Sequence, residues 1–185
     1  MQTVFSHPSE TMSTPASNSP PPAAAGPLWI VPLDSHAGYD HVRLRRVFAT
    51  DGVRHEVVLV DTRRLLVCAD RDDTDYVLKP VSDWHAGKIR GIREFLDPDN
   101  ERVPEMPYVT VRTRRSAGLF GWLGLSREGV VGFRNGQHRA RYLAHAGARW
   151  LPVEVHEREA RLLREVCGAG PALVGAVARP VHSGG

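Results

Sequence analysis

Apolar positions in this chain bunch, alternate and lapse in a way that marks out its elements. Residues 1–27 are rich in Ser, Thr, Pro and Ala, with Pro20-Pro21-Pro22-Ala23-Ala24-Ala25, and offer little to bury. Such a stretch cannot offset the entropy of ordering itself and is read as a disordered leader. The first apolar run is Leu28-Trp29-Ile30-Val31-Pro32-Leu33. His41–Val47 then alternates polar with apolar, and His55–Val60 is more continuously apolar. The pattern is that of two paired strands, with Thr50-Asp51-Gly52 supplying turn chemistry between them. One more short element is expected around Leu65–Ala69, followed by an acidic loop.

Further along, Ile89, Ile92, Phe95 and Leu96 share one face at helical spacing, which predicts a helix over Lys88–Leu96 that stops at Asp97-Pro98-Asp99-Asn100. Met106–Val111 reads as a strand. Arg114–Arg127 reads as an irregular loop or hairpin, with Leu119, Phe120 and Trp122 set among glycines. Gly132–Leu143 is a buried strand running into a polar turn and then a helix, followed by a strand at Leu151–Val155 and a helix over Glu157–Cys167 ended by Gly168. Residues 169–185 return to Gly, Pro and Ala and are read as a flexible tail. The order predicts one α+β domain over residues 28–168, a mixed sheet with short helices and no internal repeat.

Composition narrows the function classes. The net charge of +3 makes the surface mildly basic, and lysine occurs only at positions 79 and 88. Arginine elsewhere fits a GC-rich coding bias as well as nucleic-acid contact. The cysteines, Cys68 and Cys167, lie in no CxxC pattern, which argues against a disulfide framework or a zinc site. Cys68, inside Leu65-Leu66-Val67-Cys68-Ala69, reads as a small core residue. No HExxH, Walker or signal-peptide pattern and no membrane-length apolar run is present, so the expectation is a cytoplasmic protein without membrane insertion.

The most informative chemistry is the turn Asn135-Gly136-Gln137-His138-Arg139. A helix N-terminus presents unpaired N–H groups and partial positive charge, and so attracts anions. Glycine allows close backbone approach, and His and Arg in the first turn add donors suited to phosphate. The bland alternative is an Asn-Gly helix cap followed by solvated polar residues. Arg134 and Arg141 fit either a flank of the ligand or a solvated surface.

With Ala140, Leu143, Ala146-Gly147-Ala148 and Leu151-Pro152-Val153-Glu154-Val155 behind it, this turn resembles the signature of the ParB/sulfiredoxin superfamily. Within it the chain most resembles the plasmid fertility inhibition proteins, which block conjugative transfer of another plasmid. The likeness is strongest over residues 129–156.

The resemblance implies a compact ParB/sulfiredoxin-like domain and a site in which Lys88, Asn135, Gly136, Gln137, His138 and Arg139 hold the phosphates of ATP, another nucleotide or DNA. His138 and Arg139 would be its catalytic pair. It also implies ATPase or DNase activity with Mg²⁺, and a target in the type IV secretion coupling protein or the relaxase–DNA complex. The competing reading is a non-catalytic nucleic-acid or protein-binding regulator. Sulfiredoxins place a cysteine just before their His-Arg pair, where this chain has Gln137, so their repair reaction lacks its nucleophile.

Other candidates come from the residues alone. A lysine opening a helix opposes the dipole unless an anion compensates, which singles out Lys88. Trp84 reads as a core anchor that could also stack on a base. Asp61, Asp70, Asp72, Asp73, Asp75 and Glu94 are candidate metal ligands, with a solvated acidic loop as the plainer reading of the cluster.

Overall fold

A computed structural model describes residues 27–48, 54–73, 78–123 and 125–170. Most of the leader, the 169–185 tail beyond residue 170, the Thr50-Asp51-Gly52 turn and Asp75 lie outside the described residues.

The chain forms an α+β fold around two sheets. Strands β1 (Trp29–Pro32) and β2 (His41–Leu44) make an antiparallel pair, in register from Trp29 opposite Leu44 to Pro32 opposite His41. The larger sheet contains β3 (His55–Asp61), β4 (Tyr108–Arg115), β5 (Arg127–Asn135) and β6 (Trp150–His156) in the order β3-β6-β4-β5. Thus β2 and β3 are not partners: β3 lies antiparallel to β6, from His55 opposite His156 to Asp61 opposite Trp150. Turn chemistry is a local cue, whereas pairing follows burial. β2 carries one buried stripe, Val42 and Leu44, which packs with Val31 of β1 in one core. β3 can line up against β6, buried from Trp150 through Val155.

Helix α1 (Thr62–Ala69) accounts for the short apolar element after β3. The Asp61 carboxylate caps it by accepting from the Arg64 N–H at 2.8 Å. Leu65, Cys68 and Ala69 turn inward, at the i, i+3, i+4 spacing of one helical face. Helix α2 (Ala86–Leu96) begins earlier than Lys88, because the His85 ring caps it through the Gly87 N–H at 3.1 Å. Lys88 nevertheless stands in its first turn. β4 runs on to Arg115, so of the two readings of this segment, irregular loop or hairpin, the structure shows a β4–β5 hairpin. Its tip carries a single helical turn, α3 (Leu119–Trp122). Helices α4 (Gln137–His145) and α5 (Glu157–Cys167) follow β5 and β6 directly.

The centre of the large sheet contains a charge. Glu154 of β6 is fully buried. Its Oε1 accepts from Arg46 Nε at 2.7 Å, and its Oε2 from the backbone N–H groups of Val47 and Phe48 at 2.6 and 3.2 Å. Both carboxylate oxygens are satisfied, which is the condition for tolerating a buried charge. β4 pairs in parallel with β6 only at Tyr108 and Val109 before the strands part. Beyond that point the Val111 N–H donates to Glu159 Oε2 of α5 at 2.8 Å, so a side chain replaces the missing ladder.

Candidate phosphate-binding site

The junction of β5 and α4 depends on Gly136. Its φ of 83° is left-handed, and a Cβ there would lie 2.8 Å from Pro107 Cα. Only glycine fits without strain. Gly136 is also the N-cap, so α4 begins with no side-chain cap. Of the Asn-Gly capping alternative, Gly136 is the cap and Asn135 is not. Its Oδ1 accepts from Arg139 Nη2 at 3.1 Å, which folds the guanidinium back over the turn. The Arg139 Nε is buried and has no hydrogen-bond partner. Burial lowers the Arg139 pKa, with the Glu105 carboxylate acting in the opposite direction. The site thus holds a partly desolvated guanidinium with a donor to spare beside an uncapped helix start.

A second group of residues meets on the other flank of the turn. The His138 ring lies 5.6 Å from the Trp84 ring, and Lys88 Nζ stands 4.3 Å from the centroid of the same indole. Trp84 is buried and donates from Nε1 to the Lys79 carbonyl at 2.9 Å, so it is the core anchor expected and also the platform for Lys88 and the His138 ring. His138 keeps an exposed edge. Its pKa is lowered, first by burial of the packed face and then by the positive charges of Lys88 and Arg141. The shift favours the neutral imidazole.

Of the sequence candidates, Gly136, Gln137, His138 and Arg139 form the first turn of α4 with its cap, Asn135 contacts it, and Lys88 shares the Trp84 ring with His138. Arg134 does not join them. It lines a cavity of about 310 Å³ with Asp72, Thr110, Val111, Arg112, Gly132 and Glu159. Arg141 is not a solvated arginine: it is buried and ion-paired with Asp70. Three of the other acidic candidates are engaged too. Asp61 caps α1, Asp72 pairs with Arg112 at 3.0 Å, and Asp73 pairs with Arg114 at 2.7 Å. Among the described residues no group of three or more His, Cys, Asp or Glu side chains could hold a metal ion. Nor is any helix long and apolar enough to cross a membrane.

The Asp70–Arg141 pair was not foreseeable from spacing, because the partners are far apart in sequence. The hint available was a single arginine inside the apolar face of the helix after Ala140.

Comparison with known proteins gives two findings. A family model described as plasmid fertility inhibition factor matches residues 57–168, more than half of the chain. A solved structure is similar over 84% of this chain and 80% of its own, with a TM-score of 0.53 and 17% identity. It is the crystal structure of Oncogenic Suppression Activity Protein, a plasmid fertility inhibition factor, as its gold(I) cyanide derivative. At that identity the likeness speaks for the fold. No curated protein sequence matches the chain.

Proposed function

Because the chain belongs to the plasmid fertility inhibition factor family, we propose that it suppresses conjugative DNA transfer through a phosphate site at the first turn of α4. The observation that carries this reading is the Arg139 guanidinium, partly desolvated, with its Nε unpartnered beside an uncapped helix N-terminus. A phosphate there would accept from Arg139 and from backbone N–H groups at the helix start, and would compensate the positive charge of Lys88. The ligand class is a nucleotide such as ATP, or the backbone of DNA. A ParB/sulfiredoxin-like core is the fold relationship this reading assumes.

Hydrolysis extends the same reading. A neutral His138 is suited to accept a proton from an attacking water while Arg139 stabilises charge on the phosphoryl oxygens. Mg²⁺, if used, fits poorly with Asp70, Asp72 and Asp73, each of which faces an arginine. Titration with ATP, CTP and a DNA oligonucleotide tests the site. Arg139→Ala should weaken the preferred ligand by about tenfold to a hundredfold, the worth of a charged hydrogen bond. Equal binding by wild type and variant, or no binding of any ligand, would overturn it. Turnover compared in Mg²⁺ and in EDTA decides whether a metal is required.

A second reading rests on the hairpin tip. Leu119, Phe120, Trp122, Leu123 and Leu125 are all exposed. Such a cluster suits docking on a protein, here the type IV secretion coupling ATPase or the relaxase–DNA complex, with inhibition by contact.

A further inference from the structure

Among the described residues, every large apolar side chain that stands exposed, Val67 apart, lies on the tip joining β4 to β5. Leu119, Phe120 and Trp122 are on α3, and Leu123 and Leu125 follow it. Between Arg115 and Arg127 the sequence holds no charged side chain. The tip also satisfies much of its own backbone. The Trp122 N–H donates to the Gly118 carbonyl at 2.9 Å, and the Leu123 N–H to the Leu119 carbonyl at 3.0 Å. The Leu125 and Ser126 N–H groups share the Phe120 carbonyl, at 2.8 and 3.2 Å. Such pairing is what a backbone needs before it can leave water.

Behind these apolar side chains stands a collar of positive charge. Arg115 and Arg127 are register partners in the pair of strand residues nearest the tip, and both are exposed. Neither makes an ion pair among the described residues. Like charges directly opposite each other destabilise a sheet, so this pair calls for an anion from outside the chain. The arginines further from the tip are already matched. Arg114 holds Asp73 at 2.7 Å and Glu128 at 2.8 Å, and Arg112 holds Asp72 at 3.0 Å. Arg127 also lines an open cavity of about 440 Å³ with Arg63, Arg64 and the exposed Val67. Positive charge and apolar surface thus continue from the hairpin toward α1.

We propose that this tip is an interfacial anchor: its apolar side chains seat in the surface of an anionic lipid bilayer while Arg115 and Arg127 hold lipid phosphates. Interfacial segments bury their apolar face only about 5–10 Å deep, so a tip of one helical turn suffices and no span is required. A bilayer presents its layers in the order the hairpin needs, phosphate for the arginines and then hydrocarbon for the tip. A protein would have to offer an acidic rim around an apolar groove. A single strand of nucleic acid would suit the arginine pair, but three of the five exposed tip side chains are leucines, which give a base no aromatic face to stack on. The anchor is separate from the phosphate site at α4, and docking of the same tip on a protein becomes an outcome of its test.

The full-length protein should be floated with vesicles of mixed phosphatidylglycerol and phosphatidylcholine and, separately, of phosphatidylcholine alone. Wild type should bind the anionic vesicles about tenfold better or more. Arg115→Gln with Arg127→Gln should weaken that binding about twentyfold to thirtyfold, the worth of two basic side chains at an anionic surface. Arg158→Gln with Arg161→Gln removes the same charge at exposed positions on α5 and should weaken it by no more than about threefold. Phosphatidylcholine brominated in its acyl chains, added to the anionic vesicles, should quench tryptophan fluorescence in wild type but not in Trp122→Phe. All these positions are exposed, so the variants should melt like wild type. Equal binding to the two vesicle types, equal loss in the two arginine double variants, absent quenching, or quenching that survives Trp122→Phe would overturn the proposal. So would failure to bind anionic vesicles by a chain whose tip, through Trp122, binds a single-stranded oligonucleotide or a protein; that result would assign the tip to that partner. If an arginine variant melts early, the quenching measurement still decides the matter.

Discussion

Lys88 holds its charge over the face of Trp84, with Nζ 4.3 Å from the ring centroid, and among the described residues it makes no ion pair. His138 packs on the same indole. The platform therefore places a fixed positive charge beside a titratable one, without a carboxylate between them.

This arrangement predicts how His138 titrates. Burial and the charges of Lys88 and Arg141 depress its pKa. Lys88→Met should raise it toward the ordinary histidine value of about 6.5. Phosphate binding should raise it too, because an anion stabilises the imidazolium. The sign for stability follows from linkage: the unfolded histidine binds its proton at a higher pH than the folded one. Stability should therefore fall as pH drops below about 6.5, and level off below the folded pKa. His36, also lowered by burial and by Arg93, contributes in the same sense. An NMR titration of the imidazole resonances in wild type and Lys88→Met checks the shift. An unchanged His138 pKa in the variant would contradict it.

Gly136→Ala should damage both fold and site. The new Cβ would lie 2.8 Å from Pro107 Cα at a left-handed φ. Left-handed backbone with a side chain costs about 1–2 kcal/mol, before the contact with Pro107 is counted. Because Arg139 Nη2 also lies 3.0 Å from that Cβ position, its guanidinium must move as well. Chemical denaturation should show the stability loss, and ligand titration should show weaker phosphate binding than the stability loss alone explains.

How far the chain could be read before its structure depended on whether an element is decided locally. The β5–α4–β6–α5 block is legible because each strand is a continuous apolar run meeting a helix at a cap: Gly136, then His156, whose ring accepts from the Arg158 N–H. Asn135, Gly136, Gln137, His138 and Arg139 sit together for the same reason. The β2–β3 pairing was misread because β3 is claimed by β6, far along the chain, and no turn signal reports that. Arg141 was misread because its environment is set by Asp70, far away in sequence. Glu154 gave a partial signal: an acid inside Leu-Pro-Val-Glu-Val demands a partner. That the partner is Arg46 follows only from the tertiary fold.

That dependence gives a stability prediction. Arg46→Met removes the guanidinium and leaves Glu154 buried with two backbone donors but no counter-charge. Breaking a buried pair from one side costs about 3–5 kcal/mol. Glu154→Gln should cost less, since an uncharged amide still accepts a hydrogen bond from the Val47 N–H. Guanidinium denaturation of the two variants should rank Arg46→Met as the less stable. The reverse order would mean that Arg46 contributes little to satisfying the carboxylate.

The hairpin tip should behave oppositely, with function changed and stability untouched. Trp122 is 76% exposed, and Leu119, Phe120 and Leu125 around it are also open to solvent. Truncating an exposed side chain ordinarily shifts stability by no more than about 0.5 kcal/mol. If the tip docks on the secretion machinery or the transferring complex, Trp122→Ala removes the kind of aromatic anchor that dominates protein interfaces. The measurement is a mating assay in a donor carrying a conjugative plasmid and expressing wild type, Trp122→Ala or Arg139→Ala. Transfer should rise in the Trp122→Ala donor although the variant melts like wild type. Inhibition lost only on Trp122→Ala would favour blocking by contact over chemistry at α4. Inhibition lost only on Arg139→Ala would tie suppression to the phosphate site and leave the exposed tip without that role. Loss on both would mean that docking and phosphate binding act in series. Unaltered transfer across several plasmid types, with wild type itself expressed, would remove the proposed role in conjugation altogether.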